Sequence, residues 1–330
     1  MNHHVVRPGL LLVALLGCSA VLVGLRSTLG RSRLIPVAAS DVNRVSIPRD
    51  LRIALRISAN TTTIIMIDPH VNLFLRPEDL TSTQLVHYGL PFGIGNSGPT
   101  LKRILNRTKR YGLNVSSPRR CVVVGNGHVL KGRGLGAAID RHDVIIRMND
   151  APTLGHEVDV GQRTTLRLLY PESSSTSSST SSSSSTSSSS STSTWGQGEG
   201  SLMAVLAFKP ADLQWLQQMV EKNLSPGRGL WRQAARSWRV PPSHVRVLHP
   251  RFALTASRDL LLLPVTETRP GSAPSAWSKL PTTGFIAVLA ALHACPEVSI
   301  AGFGYPANSP GALVHYYGQS RMQEITKVGD

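Results

Sequence analysis

Between Cys121 and Glu172 the chain reads CVVVGNGHVLKGRGLGAAIDRHDVIIRMNDAPTLGHEVDVGQRTTLRLLYPE, and the grammar of that stretch limits what the rest can become. Cys121–Val124 is a short β-branched run, the kind buried on both faces of a parallel sheet. Gly125-Asn126-Gly127 follows, where glycine permits a tight turn and a close approach of backbone to a ligand. The pattern then predicts a helix over 135–141, a second strand over 143–148 and a third over 165–170. Strand, turn, helix and strand together describe an α/β domain with a mostly parallel sheet. In such sheets ligands bind beyond the carboxyl ends of the strands. Asn126 and Asn149 both fall at strand ends of that kind.

A glycine pair after a first strand invites comparison with the dinucleotide-binding fingerprint, and the fit is weak. Leu130 stands where the third glycine belongs, and the second strand ends Arg147-Met148-Asn149, with its acid, Asp143, at the wrong end to hold a ribose. The plain alternative is that the glycines only make a turn.

Three further stretches carry information. Leu280–Cys295 (LPTTGFIAVLAALHAC) predicts a strongly apolar helix capped by Thr282 or Thr283, running into a strand over 298–301 and the turn Gly302-Phe303-Gly304. A helix N-terminus with free backbone N–H groups suits an anion. His293, deep in that helix, reads as a satisfied core histidine. Strands are predicted over 202–208 and 245–248, with Asp212 as N-cap of a helix over 213–222, and Trp215, Leu216 and Met219 as core contacts. Residues 251–264 are expected to be helical and 266–280 a loop.

The segment from DVIIRMNDAP (143–152) through Asp159-Val-Gly161 to Tyr170-Pro-Glu172 resembles the large sialylmotif of animal sialyltransferases, nearest the β-galactoside α2,3-sialyltransferase subgroup. Leu280–Gly304 resembles the small sialylmotif, and His315-Tyr316-Tyr317 matches the family's third motif with Gly318 replacing its usual acidic neighbour. The resemblance runs from about Cys121 to Met322. It implies a Rossmann-like, mostly parallel sheet flanked by helices, the sialyltransferase variant of the GT-A-type fold, behind a single N-terminal membrane anchor. It also implies transfer of sialic acid from CMP-sialic acid to the 3-hydroxyl of a terminal β-galactose on glycoproteins or glycolipids, with inversion and without metal or other cofactor.

Carried onto this chain, the resemblance makes Asn126, Asn149, Thr283, Gly284 and Gly304 donor-binding positions and His315 the group that stabilises the leaving phosphate. It also pairs Cys121 with Cys295, joining the large and small motifs; in an oxidising compartment that bond closes a long loop worth about 4–5 kcal/mol. Two buried free thiols are the alternative. The family's base, a histidine in a His-x4-Glu motif, follows the His-Tyr-Tyr motif, whereas no histidine follows His315 here. The expectation is a sequence truncated at its C-terminus; the rival is a catalytically inactive Golgi homologue that binds the donor or a partner enzyme.

The organisation of the chain fits a membrane-anchored secretory-pathway enzyme. Residues 8–25 carry no charge, at the short end of a membrane span, with a cleavable signal peptide as competitor. The resemblance favours an uncleaved type II signal-anchor: a cytosolic tail over 1–7, a stem over 26–95 in which only 62–67 suggests a strand, and a catalytic domain over 96–330 in the Golgi lumen. Sequons at Asn60, Asn106, Asn114 and Asn223 accord with a lumenal glycoprotein. Ser173–Thr194 is an unbroken Ser/Thr tract, expected to be disordered because it has no apolar area to bury. The formal net charge is +16, and residues 1–120 hold 16 Lys+Arg against 5 Asp+Glu. With no basic helix interleaved with aromatics and no zinc spacing, that charge points away from nucleic acid and toward an anionic sugar nucleotide. The expected partners are the donor, galactose-terminated glycans and further Golgi subunits in a homo- or hetero-oligomer.

Overall fold

The computed structural model describes residues 52–58, 61–66, 70–113, 120–174, 200–223, 229–230, 233–236, 238, 240–263, 265, 280–304 and 309–326. An antiparallel pair, β1 (Arg52–Ser58) and β2 (Thr61–Met66), precedes the main sheet, and β2 covers the strand expected near 62–67. The sheet itself holds six strands: β3 (Arg120–Val124), β4 (Val144–Met148), β5 (Leu166–Leu169), β6 (Leu202–Val205), β7 (Val245–Val247) and β8 (Glu297–Ala301). Their spatial order is β7-β6-β5-β4-β3-β8, and every pairing is parallel. The chain therefore walks outward from β3 to β7 and returns to place β8 on the other flank of β3. That reversal is a topological switch point, and in sheets of this kind the crevice for ligands lies at the carboxyl ends of the strands flanking it, here β3 and β8.

Two layers of apolar side chains hold the sheet. On one face Val123, Ile146, Leu168 and Ala204 meet Ile286, Leu289 and Ala290 of helix α7 (Thr283–Ala294). On the other, Met203 and Val205 pack with Leu101, Ile104 and Leu105 of α2 (Gly98–Thr108) and Leu213, Leu216 and Val220 of α5 (Pro210–Glu221). Trp215 is buried there too, its indole N–H donating to Ala235 O at 2.8 Å. The remaining short helices are α1 (Thr83–His87), α3 (Gly136–Asp140), α4 (Glu157–Val160), α6 (Arg251–Leu254) and α8 (Met322–Thr326).

Several expectations are corrected by the packing. Helix α5 starts at Pro210, with Lys209 as N-cap, so Asp212 is its third residue rather than its cap. Its carboxylate still serves the helix end, accepting the backbone N–H of Phe208 at 2.7 Å and of Lys209 at 3.2 Å. The strand expected over 202–208 ends at Val205, and the helix expected over 251–264 changes after Leu254 into a π-helical turn, Thr255–Leu260. Part of the segment expected to be stem belongs to the packed domain: Phe74, Leu75, Leu85, Phe92 and Ile94 are buried, and Leu75 N–H donates to Val247 O at the sheet edge.

The Ser/Thr tract also begins inside the fold. Ser173 and Ser174 are buried in a 3-10 turn (Pro171–Ser174), and Ser174 Oγ accepts the N–H of Ala235 at 3.1 Å while donating to Pro171 O. Residues 175–194, the expected anchor over 8–25, Asn60 and Asn114 lie outside the described residues. Among the described residues no helix is long and apolar enough to cross a membrane.

Candidate active site

The crevice is built by loops that follow β3, β4 and β8, together with the segment around His315. Gly125 and Gly127 let the loops after β3 and β8 touch: a Cβ on either would sit 2.4 or 2.6 Å from Gly302 O. Their amides bond across that contact, Gly125 N–H to Ala301 O at 2.7 Å and Gly127 N–H to Gly302 O at 2.9 Å. The glycines read from sequence as turn-formers are thus the seam between the two loops.

The same β3 loop carries the His-Tyr-Tyr segment. Gly127 and His315 form an isolated antiparallel bridge, flanked by His128 N–H to Val314 O and Tyr316 N–H to Asn126 O, both at 3.0 Å. Side chains extend the connection. Asn126 Nδ2 donates to the Tyr317 hydroxyl at 3.2 Å, and that hydroxyl donates to Asp150 Oδ1 at 2.9 Å. Tyr316 OH donates to Pro152 O at 2.6 Å. Burial pushes the Tyr316 hydroxyl up to about 12, and burial followed by the Asp150 charge raises Tyr317, so both phenols stay protonated donors. Burial lowers the pKa of His315 from 6.5, with the Asp150 carboxylate pulling in the opposite direction.

Asn149 ends β4 in the left-handed conformation, φ 55°, which asparagine tolerates better than most residues. Its carboxamide oxygen is buried without a hydrogen-bond partner, and so is that of Asn126. Two orphaned acceptors at neighbouring strand ends are costly unless a ligand completes them. A cytidine or ribose, rich in N–H and O–H donors, has the complementary chemistry.

Thr282, not Thr283, caps α7, its hydroxyl accepting Phe285 N–H at 3.2 Å. Thr283 opens the helix beside Gly284, where a Cβ would lie 3.0 Å from Phe303 Cε1 and 3.6 Å from Met148 Sδ. The helix start therefore meets the end of β4 and the turn after β8, which closes with Gly304 at φ 124°. Of the six positions expected to bind donor or act on it, Asn126, Asn149, Gly304 and His315 belong to these adjoining loops, and Thr283 and Gly284 to the first turn of α7 beside them. Cys121 and Cys295 are joined by a disulfide, Cα–Cα 6.1 Å, tying β3 to the end of α7. His293 Nε2 lies 2.7 Å from Val71 O, a core contact as read. Asn106 and Asn223 are exposed. No group of three His, Cys, Asp or Glu side chains among the described residues is placed to hold a metal ion.

Sequence reasoning passed over three participants. Asp150 and Tyr317 stood inside quoted motifs without assigned roles. Arg167 and its neighbour Arg147 interrupt apolar strands, a visible signal, since a guanidinium between leucines is buried only with partners.

Comparison with known proteins decides the lineage. The family model for glycosyltransferase family 29 (sialyltransferase) matches residues 76–329. The chain belongs to that family. Among family 29 relatives, the chimpanzee (Pan troglodytes) CMP-N-acetylneuraminate-beta-galactosamide-alpha-2,3-sialyltransferase 4 is 37% identical over 262 residues, covering 78% of this chain and 74% of its own. The mouse (Mus musculus) CMP-N-acetylneuraminate-beta-1,4-galactoside alpha-2,3-sialyltransferase is 38% identical over 240 residues, covering 71% and 59%. A crystal structure of a mammalian sialyltransferase in complex with Gal-beta-1-3GalNAc-ortho-nitrophenol superposes with TM-score 0.53 at 24% identity, over 79% of this chain and 88% of that one, and so shares the fold.

Proposed function

We propose that this family 29 member transfers sialic acid from CMP-sialic acid to the 3-hydroxyl of a terminal β-galactose. The observation that carries the reading is the pair of buried, unpartnered carboxamide oxygens of Asn126 and Asn149. They lie at the switch-point crevice of a family 29 chain whose relatives bear α2,3-sialyltransferase names.

In this reading the two asparagines take the cytidine and ribose, and the start of α7 (Thr283, Gly284) and Gly304 bring backbone to the phosphate and carboxylate of the donor. The oxygen of the galactose 3-hydroxyl forms its bond to the anomeric carbon as the bond to the CMP phosphate breaks, with inversion; CMP leaves with the bonding pair and the hydroxyl proton passes to solvent. Charge building on that phosphate is met by His315, as a cation or a hydrogen-bond donor, together with backbone N–H groups. The Cys121–Cys295 bond and the exposed sequons at Asn106 and Asn223 support a lumenal setting, with the protein held in the Golgi membrane by a type II anchor.

The test offers the full chain CMP-sialic acid labelled in its sialyl group, with a β-galactoside or its 3-deoxy counterpart as acceptor. Label appearing only on the intact galactoside is the expected result. Absence of any measurable affinity for CMP would overturn the reading.

A further inference from the structure

Arg167 sits in the middle of β5 with 1% of its surface exposed, between Leu166 and Leu168. Its register partner on β4 is Arg147, equally buried, so two cations lie side by side in the sheet. Desolvating one guanidinium is costly, and a second beside it adds repulsion. Methionine or leucine would fill such a position at lower cost unless the guanidinium does something an apolar side chain cannot.

What it does is visible in its bonds. Arg167 Nη1 donates to Asn149 O at 2.7 Å and to Ala151 O at 3.0 Å, spanning Asp150 between them. The first carbonyl belongs to the residue held at φ 55° whose carboxamide oxygen waits unpartnered in the crevice. The bridged residue is the one whose carboxylate takes the Tyr317 hydroxyl and, through it, Asn126. One buried cation thus fastens the turn that carries Asn149 and Asp150. Arg147 does not share the task; its Nη2 and Nε bond Val160 O, Arg163 O and Thr164 Oγ1, further from the crevice.

We infer that Arg167 is a positioning residue for donor binding: by clamping the carbonyls of Asn149 and Ala151 from beneath, it holds the Asn149 carboxamide in the left-handed turn where it meets the nucleotide. The inference rests on the proposed donor role of Asn149. A lysine at 167 carries one compact charge without the planar fork, so it reproduces the clamp only in part.

The test measures CMP affinity by calorimetry on the full-length chain and on its Asn149→Gly, Arg167→Met and Arg167→Lys variants, plus the Asn149→Gly/Arg167→Met double variant, each with a melting curve. Asn149→Gly removes the carboxamide while keeping the backbone conformation free of strain. Arg167→Met is expected to weaken CMP binding by about tenfold, Arg167→Lys by less, and the double variant no more than Asn149→Gly alone. In sialyl transfer, the KM for donor should rise while the KM for galactoside holds. Should Arg167→Met fail to fold, Arg167→Lys carries the test, with weakened CMP binding and an unchanged galactoside KM expected. Wild-type CMP affinity in the folded Arg167 variants, with Asn149→Gly impaired, overturns the clamp. Wild-type affinity in Asn149→Gly overturns the donor role of that residue, and the clamp with it.

Discussion

The rings of His315 and Tyr317 lie stacked, their centroids 5.3 Å apart and their planes 13° from parallel. Tyr317 meanwhile gives its hydroxyl proton to Asp150, so the imidazole has an aromatic face on one side and a carboxylate within electrostatic reach.

That arrangement sets a pH dependence. In its proposed role as a cation facing the leaving phosphate, His315 would lose its function as pH rises through its pKa, which burial holds below 6.5 and Asp150 partly restores. Asp150→Asn removes the restoring charge, so the fall of kcat/KM should move to lower pH; an unmoved profile would exclude this coupling. His315→Ala should lower kcat by about 10²–10³ with the melting temperature little changed.

Gly127→Ala tests the seam between loops. The added methyl would sit 2.6 Å from Gly302 O and 3.0 Å from Gly304 O, both backbone atoms. We expect a loss of about 1–3 kcal/mol by denaturant titration and weakened CMP binding. Gly98→Ala, whose methyl meets nothing within 4 Å at a helical position, is the control and should leave CMP binding unchanged and stability equal or slightly raised.

Cys295→Ser opens the bridge from β3 to α7, across a sequence separation of 174 residues. The chain-entropy model predicts destabilisation of about 4–5 kcal/mol. Peptide mapping without reductant should recover the Cys121–Cys295 peptide from the wild type; two free thiols in the secreted protein would refute the link.

A buried charge cluster gives a stability prediction with a sign. Lys209 Nζ lies 2.7 Å from Glu172 Oε1 and 2.5 Å from Asp212 Oδ1, and both carboxylates are inaccessible to solvent. Burial already raises the Asp212 pKa despite the lysine. Lys209→Met leaves two buried carboxylates without the cation between them and should cost about 3–5 kcal/mol at neutral pH. In the variant the folded state holds protons more tightly than the unfolded chain, so its deficit should grow as pH rises above the ordinary carboxylate range and shrink on acidification. A deficit independent of pH would contradict this account.

How far the sequence disclosed this molecule depends on which force set each feature. Strands β3 and β4 were legible because runs buried on both faces are rich in β-branched residues, as Val122 to Val124 and Val144 to Ile146 are, whereas β5 showed only as leucines interrupted by Arg167. The placing of Asn126 and Asn149 at strand ends was legible because it follows from the strands themselves. Asp212 was misplaced as a cap because a carboxylate serves a helix end equally well from the third position, and local sequence does not separate the two. Leu75 and Ile94 looked like stem because short, irregular segments gain their order from the sheet they cover, not from any period of their own. The Arg167 clamp was hidden for a different reason: its acceptors are backbone carbonyls, which no sequence displays.

The backbone pairing of residues 126–128 with 314–316 joins stretches far apart in the chain by main-chain bonds, to which His128 Nδ1, 3.1 Å from His315 O, adds one side-chain contact. Main-chain stitching is indifferent to side-chain identity, so Asn126 and His315 ride on one rigid patch. In the proposed reading a nucleotide sugar settling on the first would find the second already in place, its ring held against Tyr317 since the protein folded.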